Sequence, residues 1–182
     1  MKRALLIFLA IAPLVAAQEI KFPPGLDKLA DKADETVDVT LDSSLLQLAS
    51  RFLSDKDKDE AKVKKLVAGL QGVYVKSFEF DEKGAYNEAD VEFVRNQLHT
   101  PGWSRIVGVR SHRNGENCEV YIKHDGEKIG GLVVIVAEPK ELTFVNIVGT
   151  LRPEDLRDLG GNFGIPRLDV NIGRDKTGSK EN

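Results

Sequence analysis

The stretch GGLVVIVAEPKELTFVNIVG, residues 130–149, decides the fold. Two apolar runs, 132–138 and 142–149, flank Pro139-Lys140. Their β-branched content and the polar turn between them read as a β-hairpin. A strand with one wet face alternates apolar and polar residues. These runs are apolar at nearly every position, which suits strands buried on both faces. The hairpin is therefore expected at the centre of its sheet. Leu132, Val134, Val136, Phe144 and Val148 are assigned to one face. Val133, Ile135, Val145 and Ile147 are assigned to the other. Helices of the same chain are the first candidates to cover this second set. A partner protein or a second copy comes next, because large open apolar patches mark interaction sites. A lipid or small apolar ligand comes last. If the set Val133, Ile135, Val145 and Ile147 lies open, it is the candidate interaction face.

Working towards the N-terminus, two further strands precede the hairpin. WSRIVGVRSH (103–112) and CEVYIKH (118–124) flank the turn RNGEN, and HDGEKIGG leads into residue 132. Asn114-Gly115 and Asp125-Gly126 are strong turn dipeptides. Asn87 with Asp90 opens a helix whose Val91, Val94 and Leu98 face inward, and Pro101-Gly102 ends it. VYVKSFEFD (73–81) reads as a strand. If strands 73–81 and 103–110 lie parallel in one sheet, the passage between them should cross right-handedly. Val63, Leu66, Val67 and Leu70 follow helical spacing behind Asp57 and Glu60, an acidic variant of a capping box. Leu45, Leu46, Leu48, Ala49, Phe52 and Leu53 form the buried side of a helix capped by Asp42 or Ser43. Leu26, Leu29, Ala30, Ala33 and Val37 also follow helical spacing, although Val37-Asp38-Val39-Thr40-Leu41 alternates and allows a short strand. Beyond the hairpin, Pro153 with Glu154 and Asp155 starts a last short helix. The order is an α+β pattern. It predicts one domain over 26–166, with helices packed on a mainly antiparallel sheet of about five strands.

The ends carry different information. Lys2 and Arg3, the apolar core Ala4 to Val15, and the small residues at Val15-Ala16-Ala17 form a secretory signal with cleavage after Ala17. The apolar core is shorter than the ~20 residues of a membrane-spanning helix. Residues 18–25 are a short leader, and 167–182 read as a mostly disordered tail, since 174–182 lack any apolar anchor. The expected location is the periplasm or the exterior. No transmembrane anchor is expected after signal cleavage.

The chain has 26 basic and 29 acidic residues. Without Lys2 and Arg3 the balance is 24 against 29, a net of −5. A nucleic-acid binder needs a clustered basic surface, so nucleic acid is not an expected partner. Cys118 is the single cysteine, so no intrachain disulfide can form. No lipid-anchor cysteine follows the signal core.

The ordered pieces DKLADKADETVDVTLDSSLLQLASRFLSDKD, VKKLVAGLQGVYVKSFEFD, PGWSRIVGVRS and KIGGLVVIVAEPKELTFVNIVGTLRPEDLRDLGGNFGIP resemble one bacterial family. It is known as domain-of-unknown-function family four-two-five-two. The resemblance covers about residues 26–166. It implies exported or lipid-anchored envelope proteins, many of them described as lipoproteins, in an envelope-stress setting. It implies no activity and no site residues. The missing lipidated cysteine departs from the lipoprotein pattern.

His99 at a helix end suits the helix dipole. His112 and Cys118 flank one hairpin turn and could neighbour each other across strands. Such a pair could begin a zinc site or a thiol nucleophile. No third ligand accompanies them, and ordinary turn-flanking residues are the favoured reading. His124 lies too far along its strand to join Cys118. Asp55, Asp57 and Asp59 mimic the start of a calcium loop, but Glu60 and Leu66 stand where that loop needs Gly and Glu. GEKIGG (126–131) lacks the phosphate-loop pattern and reads as a hairpin connection. Trp103 reads as a packing anchor at the sheet edge rather than a sugar-stacking platform. No metal, cofactor or catalytic residue is assigned. The favoured function is a non-catalytic binding or interaction module of the envelope, whose partner is an envelope protein or a second copy. A hydrolase using Cys118 with His112 and a carrier of a small apolar ligand are the alternatives.

Overall fold

The computed structural model describes residues 20–113 and 115–159. The expected secretory signal at 1–17 and the expected tail at 167–182 lie outside them.

A six-stranded antiparallel sheet organises the chain. Its strands are β1 (Glu35–Asp42), β2 (Leu70–Glu79), β3 (Trp103–Arg110), β4 (Asn117–Asp125), β5 (Lys128–Glu138) and β6 (Glu141–Leu151). Their spatial order is β1-β2-β6-β5-β4-β3. Among the described residues four α-helices accompany them: α1 (Ser43–Ser50), α2 (Lys58–Val67), α3 (Glu88–Leu98) and α4 (Pro153–Leu159). The α+β class therefore holds, with six strands instead of about five. The additional strand is β1. The helical spacing from Leu26 onward yields only a single 3-10 turn, Leu26–Leu29. The period-2 run from Val37 to Leu41 wins because each of its residues finds a partner on β2, Val39 opposite Val75 and Leu41 opposite Val73. β2 also starts earlier than its β-rich run suggested, so Leu70 belongs to the strand and not to the helix before it.

The hairpin β5–β6 occupies the centre of the sheet. The turn lies at Pro139-Lys140, with Glu138 opposite Glu141. β2 and β3 run parallel to each other, as the alternating directions require, with β6, β5 and β4 between them. The connection through α3 therefore crosses three strands and lays the helix over one face.

That first face carries Phe78, Tyr121, Val133, Ile135, Ala137, Leu142 and Phe144. Val91, Val94 and Leu98 of α3 cover it, helped by Ile20, Leu26 and Leu29. Lys76 on β2 holds the Leu26–Leu29 turn and the edge strand together through Asp27 at 2.9 Å and Asp38 at 2.5 Å. The second face carries Val73, Cys118, Val120, Leu132, Val134, Val136, Val145 and Ile147, with Leu46 of α1 buried against it.

The register corrects the expected division of the hairpin. Val133 lies opposite Asn146 and Ile135 opposite Phe144, while Val134 lies opposite Val145 and Leu132 opposite Ile147. Directly opposed residues point to the same side of a sheet. Val133 and Ile135 thus belong to the first face, and Val145 and Ile147 to the second. The four residues do not share a surface, and all are buried. Period-2 counting sorts residues within one strand. It cannot align two strands whose turn shifts the count by one.

Candidate functional site

The second face is built to be covered but is only partly filled. Helix α1 begins at Asp42, whose carboxylate accepts from the Leu45 N–H at 2.9 Å. Helix α2 begins at Asp57, whose Oδ1 accepts from the N–H groups of Asp59 at 2.9 Å and Glu60 at 3.0 Å. Those two bonds hold the Asp57 carboxyl below its ordinary range. Glu60 reaches back to the Ser54 N–H instead of closing a reciprocal box. Gly69 and Gly149 lie back to back where α2 enters the sheet. The Gly149 backbone has φ +136°, and a β-carbon there would stand 2.5 Å from the Gly69 carbonyl. This contact fixes α2 beside the end of β6.

Between these helices and the sheet runs an apolar groove of about 620 Å³. Its floor is Val73 and Val75 of β2 with Val145 and Ile147 of β6. Leu46 of α1 and Val63, Leu66 and Val67 of α2 form its other wall. Charged groups gather at the lip: Lys62, Lys65 and Arg152 against Asp59 and Asp155. Arg152 is committed locally, donating to Asp155 at 2.5 and 3.1 Å and lying 3.2 Å from Glu154. Burial works against the Asp155 carboxylate, but the Arg152 hydrogen bonds outweigh it and hold the pKa low. Lys62 has an exposed contact with Asp59 at 3.4 Å. Lys65 makes no direct ion pair among the described residues.

The walls are loosely held. Leu46 is the single buried residue of α1, and α2 has none. Outside the groove, α1 exposes Leu45 and Leu48, and Phe52, just past the helix end, is 82% exposed. Leu45 and Leu48, at i and i+3, lie on one side of the helix. The spacing predicts Leu45, Leu46, Leu48, Ala49, Phe52 and Leu53 on the buried side. Only Leu46 is buried, because β1 and β2 offer α1 a narrow contact near the sheet edge.

A second, polar constellation lies on the first face. Arg95 of α3 donates to Glu119 of β4 at 2.6 Å, and the Tyr121 hydroxyl donates to the other Glu119 oxygen at 2.5 Å. Glu88 and Glu92 also accept from Arg95. Burial disfavours the Glu119 anion, yet the Tyr121 and Arg95 hydrogen bonds keep its carboxyl below the ordinary value. Burial and the Glu119 bond push Tyr121 up to about 12. Beside it, Leu98, His99, Thr100, Trp103, Arg105 and Tyr121 line a cavity of about 350 Å³. The Trp103 indole N–H is buried there with no hydrogen-bond partner among the described residues.

The candidates singled out in the sequence do not assemble. Cys118 faces Val109 on β3 and Val136 on β5, not His112. Burial, followed by the charges of Glu138, Glu119 and Glu141, pushes its thiol up to about 11. His124 bonds Ser104 at 2.9 Å, and His99 caps the end of α3. Asp55 pairs with Lys64 at 2.7 Å and Asp59 with Lys62. Together with the Asp57 cap, this gives each carboxylate of the calcium-like run a separate local partner. No group of three acidic, His or Cys side chains able to hold a metal occurs among the described residues. Of the expected interaction face, only Val145 and Ile147 line the groove.

The Arg95–Glu119–Tyr121 network was not anticipated. Its signal was present, since Arg95 shares the inward face of α3 with Val91 and Leu98, and Glu119 interrupts the apolar run CEVYI. The groove lip had no such signal, because Lys62, Lys65 and Arg152 meet only in three dimensions.

The geometry defines an α+β protein on an open six-stranded sheet, with a partly walled apolar groove on one face. The chain belongs to the family described as a domain of unknown function (DUF4252), whose model matches residues 30–159. No curated protein and no solved structure matches it. No helix among the described residues is long and apolar enough to cross a membrane.

Proposed function

We propose that this chain is an exported, non-catalytic binding module of the bacterial envelope, and that the groove on the second face is its binding site. The groove itself carries the reading. Small-molecule and anchor-residue sites are concave, mostly apolar and of about 300–1,000 Å³, with a few polar groups that orient the occupant. This groove meets each condition. The polar signal n-region, short apolar core and Ala17 cleavage site support export. The burial and raised pKa of Cys118, and its separation from His112 in the register, weigh against the hydrolase alternative.

Titration of the purified protein with N-phenyl-1-naphthylamine, a neutral apolar probe, tests the site. Saturable one-to-one binding is expected. It should be lost in Val75→Trp, which fills the floor, and in Leu66→Trp, which fills the wall. Circular dichroism checks that both variants fold. Absence of saturable binding by the folded wild type overturns the reading. Cell fractionation with N-terminal sequencing tests export, with a mature chain beginning at Gln18 as the expected result.

A further inference from the structure

Resting on that reading of the groove, we infer that its occupant is a single-chain acyl anion, a long-chain free fatty acid. Three observations point there. The first is charge. The lip brings three cations, Lys62, Lys65 and Arg152, against Asp59 and Asp155, and Glu154 stands 3.2 Å from Arg152, so the two signs balance at three each. Arg152 is consumed by Asp155 and Glu154, and Lys62 leans on Asp59. Lys65 attracts Asp155 only at longer range and makes no direct ion pair among the described residues, so it is the lip cation open to the head group of an occupant. One carboxylate matches that one cation, whereas a dianionic head group would leave a negative charge without a direct partner.

The second is size. At roughly 30 Å³ per heavy atom, taking the liquid-volume share of a water, a C16 fatty acid of about 18 heavy atoms needs on the order of 500 Å³. The groove holds about 620 Å³. A diacyl phospholipid of about 50 heavy atoms needs on the order of 1,500 Å³ by the same measure. The third is access. A wall formed by α2, with no buried residue, and α1, with only Leu46 buried, can yield at low cost to admit a chain. The floor of valine and isoleucine side chains offers no hydrogen-bond partner, so only the lip can read a polar head.

Competition against bound N-phenyl-1-naphthylamine tests this. Palmitate should displace the probe saturably. Methyl palmitate, which lacks the charge, should compete at least about threefold less well, the scale of one exposed ion pair. Lys65→Glu should weaken palmitate, relative to the neutral probe measured on the same variant, by at least that factor. Probe binding that palmitate does not displace leaves the groove a binding site but overturns the fatty acid as its occupant. So does displacement only by an amphipathic peptide or only by diacyl phospholipid vesicles. Equal competition by palmitate and its methyl ester, with no effect of Lys65→Glu, overturns the anion requirement. Failure of the probe itself to bind overturns the groove reading as a whole.

Discussion

Replacing Arg95 by Met tests how the first face is held together. The side chain keeps its length and apolar stem but loses the guanidinium. Glu119, whose side chain is 5% exposed, then retains only the Tyr121 hydroxyl at 2.5 Å and the Arg105 guanidinium at 3.6 Å. Removing one member of a buried ion pair costs about 3–5 kcal/mol, because the remaining charge stays desolvated. The two surviving partners place the expected loss near the lower end, about 3 kcal/mol. For a chain of this length that lowers Tm by roughly 6–12 °C. Glu119→Leu should cost less, since Glu88 and Glu92 still neutralise Arg95 near the helix surface. The double variant Arg95→Met/Glu119→Leu should recover to within about 1 kcal/mol of wild type, because apolar side chains of similar volume replace the pair without leaving a charge. Urea unfolding followed by Trp103 fluorescence measures each corner of the cycle. The pH dependence has a definite sign. The folded Glu119 carboxyl lies below its ordinary value of 4.5, so the unfolded chain binds the proton more readily. Its contribution is complete above that value and is lost as pH falls through the folded pKa. The advantage of wild type over Arg95→Met should therefore shrink below pH 4.5. A loss under about 1 kcal/mol in Arg95→Met, or a double variant no more stable than Arg95→Met, would refute the reasoning.

Asn146 sits fully buried at the sheet centre, and neither amide atom has a hydrogen-bond partner among the described residues. Asn146→Val should stabilise by about 1–3 kcal/mol, the desolvation cost of an unsatisfied buried group, and a lower urea midpoint than wild type would contradict this. Gly149→Ala should cost about 1–3 kcal/mol from backbone strain alone, more with the 2.5 Å approach to Gly69; an unchanged Tm would show that the α2–β6 contact can relax. Cys118, with its thiol pushed to about 11, should resist iodoacetamide at pH 8 in the folded protein and react readily in urea; rapid labelling of the folded chain would reopen the nucleophile reading. Burial raises Tyr86 and Tyr121 to about 12, so the folded state holds protons that the unfolded chain releases near pH 10. Stability should fall as pH rises from about 10 to 12, and a flat profile over that range would count against both assignments.

Local chemistry was legible residue by residue. Asp42, Asp57 and Asn87 cap the helices at the positions where their side-chain oxygens can reach free N–H groups. Val91, Val94 and Leu98 face the core because helical spacing aligns them. Pro139-Lys140 turns the central hairpin, and its unbroken apolar runs announce burial on both faces. These features depend on neighbours within about one turn of helix or a few residues of strand. What needed the tertiary structure depends on partners far apart in the chain. β1 exists as a strand because β2 supplies its hydrogen-bond partners. Val133 and Val145 part to opposite faces because the register across the turn aligns Val134, not Val133, with Val145. The groove forms because residues 41–75 and 145–155 converge on one surface with helices too lightly anchored to fill it. Periodicity states which residues avoid water. Only packing decides what they meet, because contact free energy is set by distance in space and not by separation along the chain.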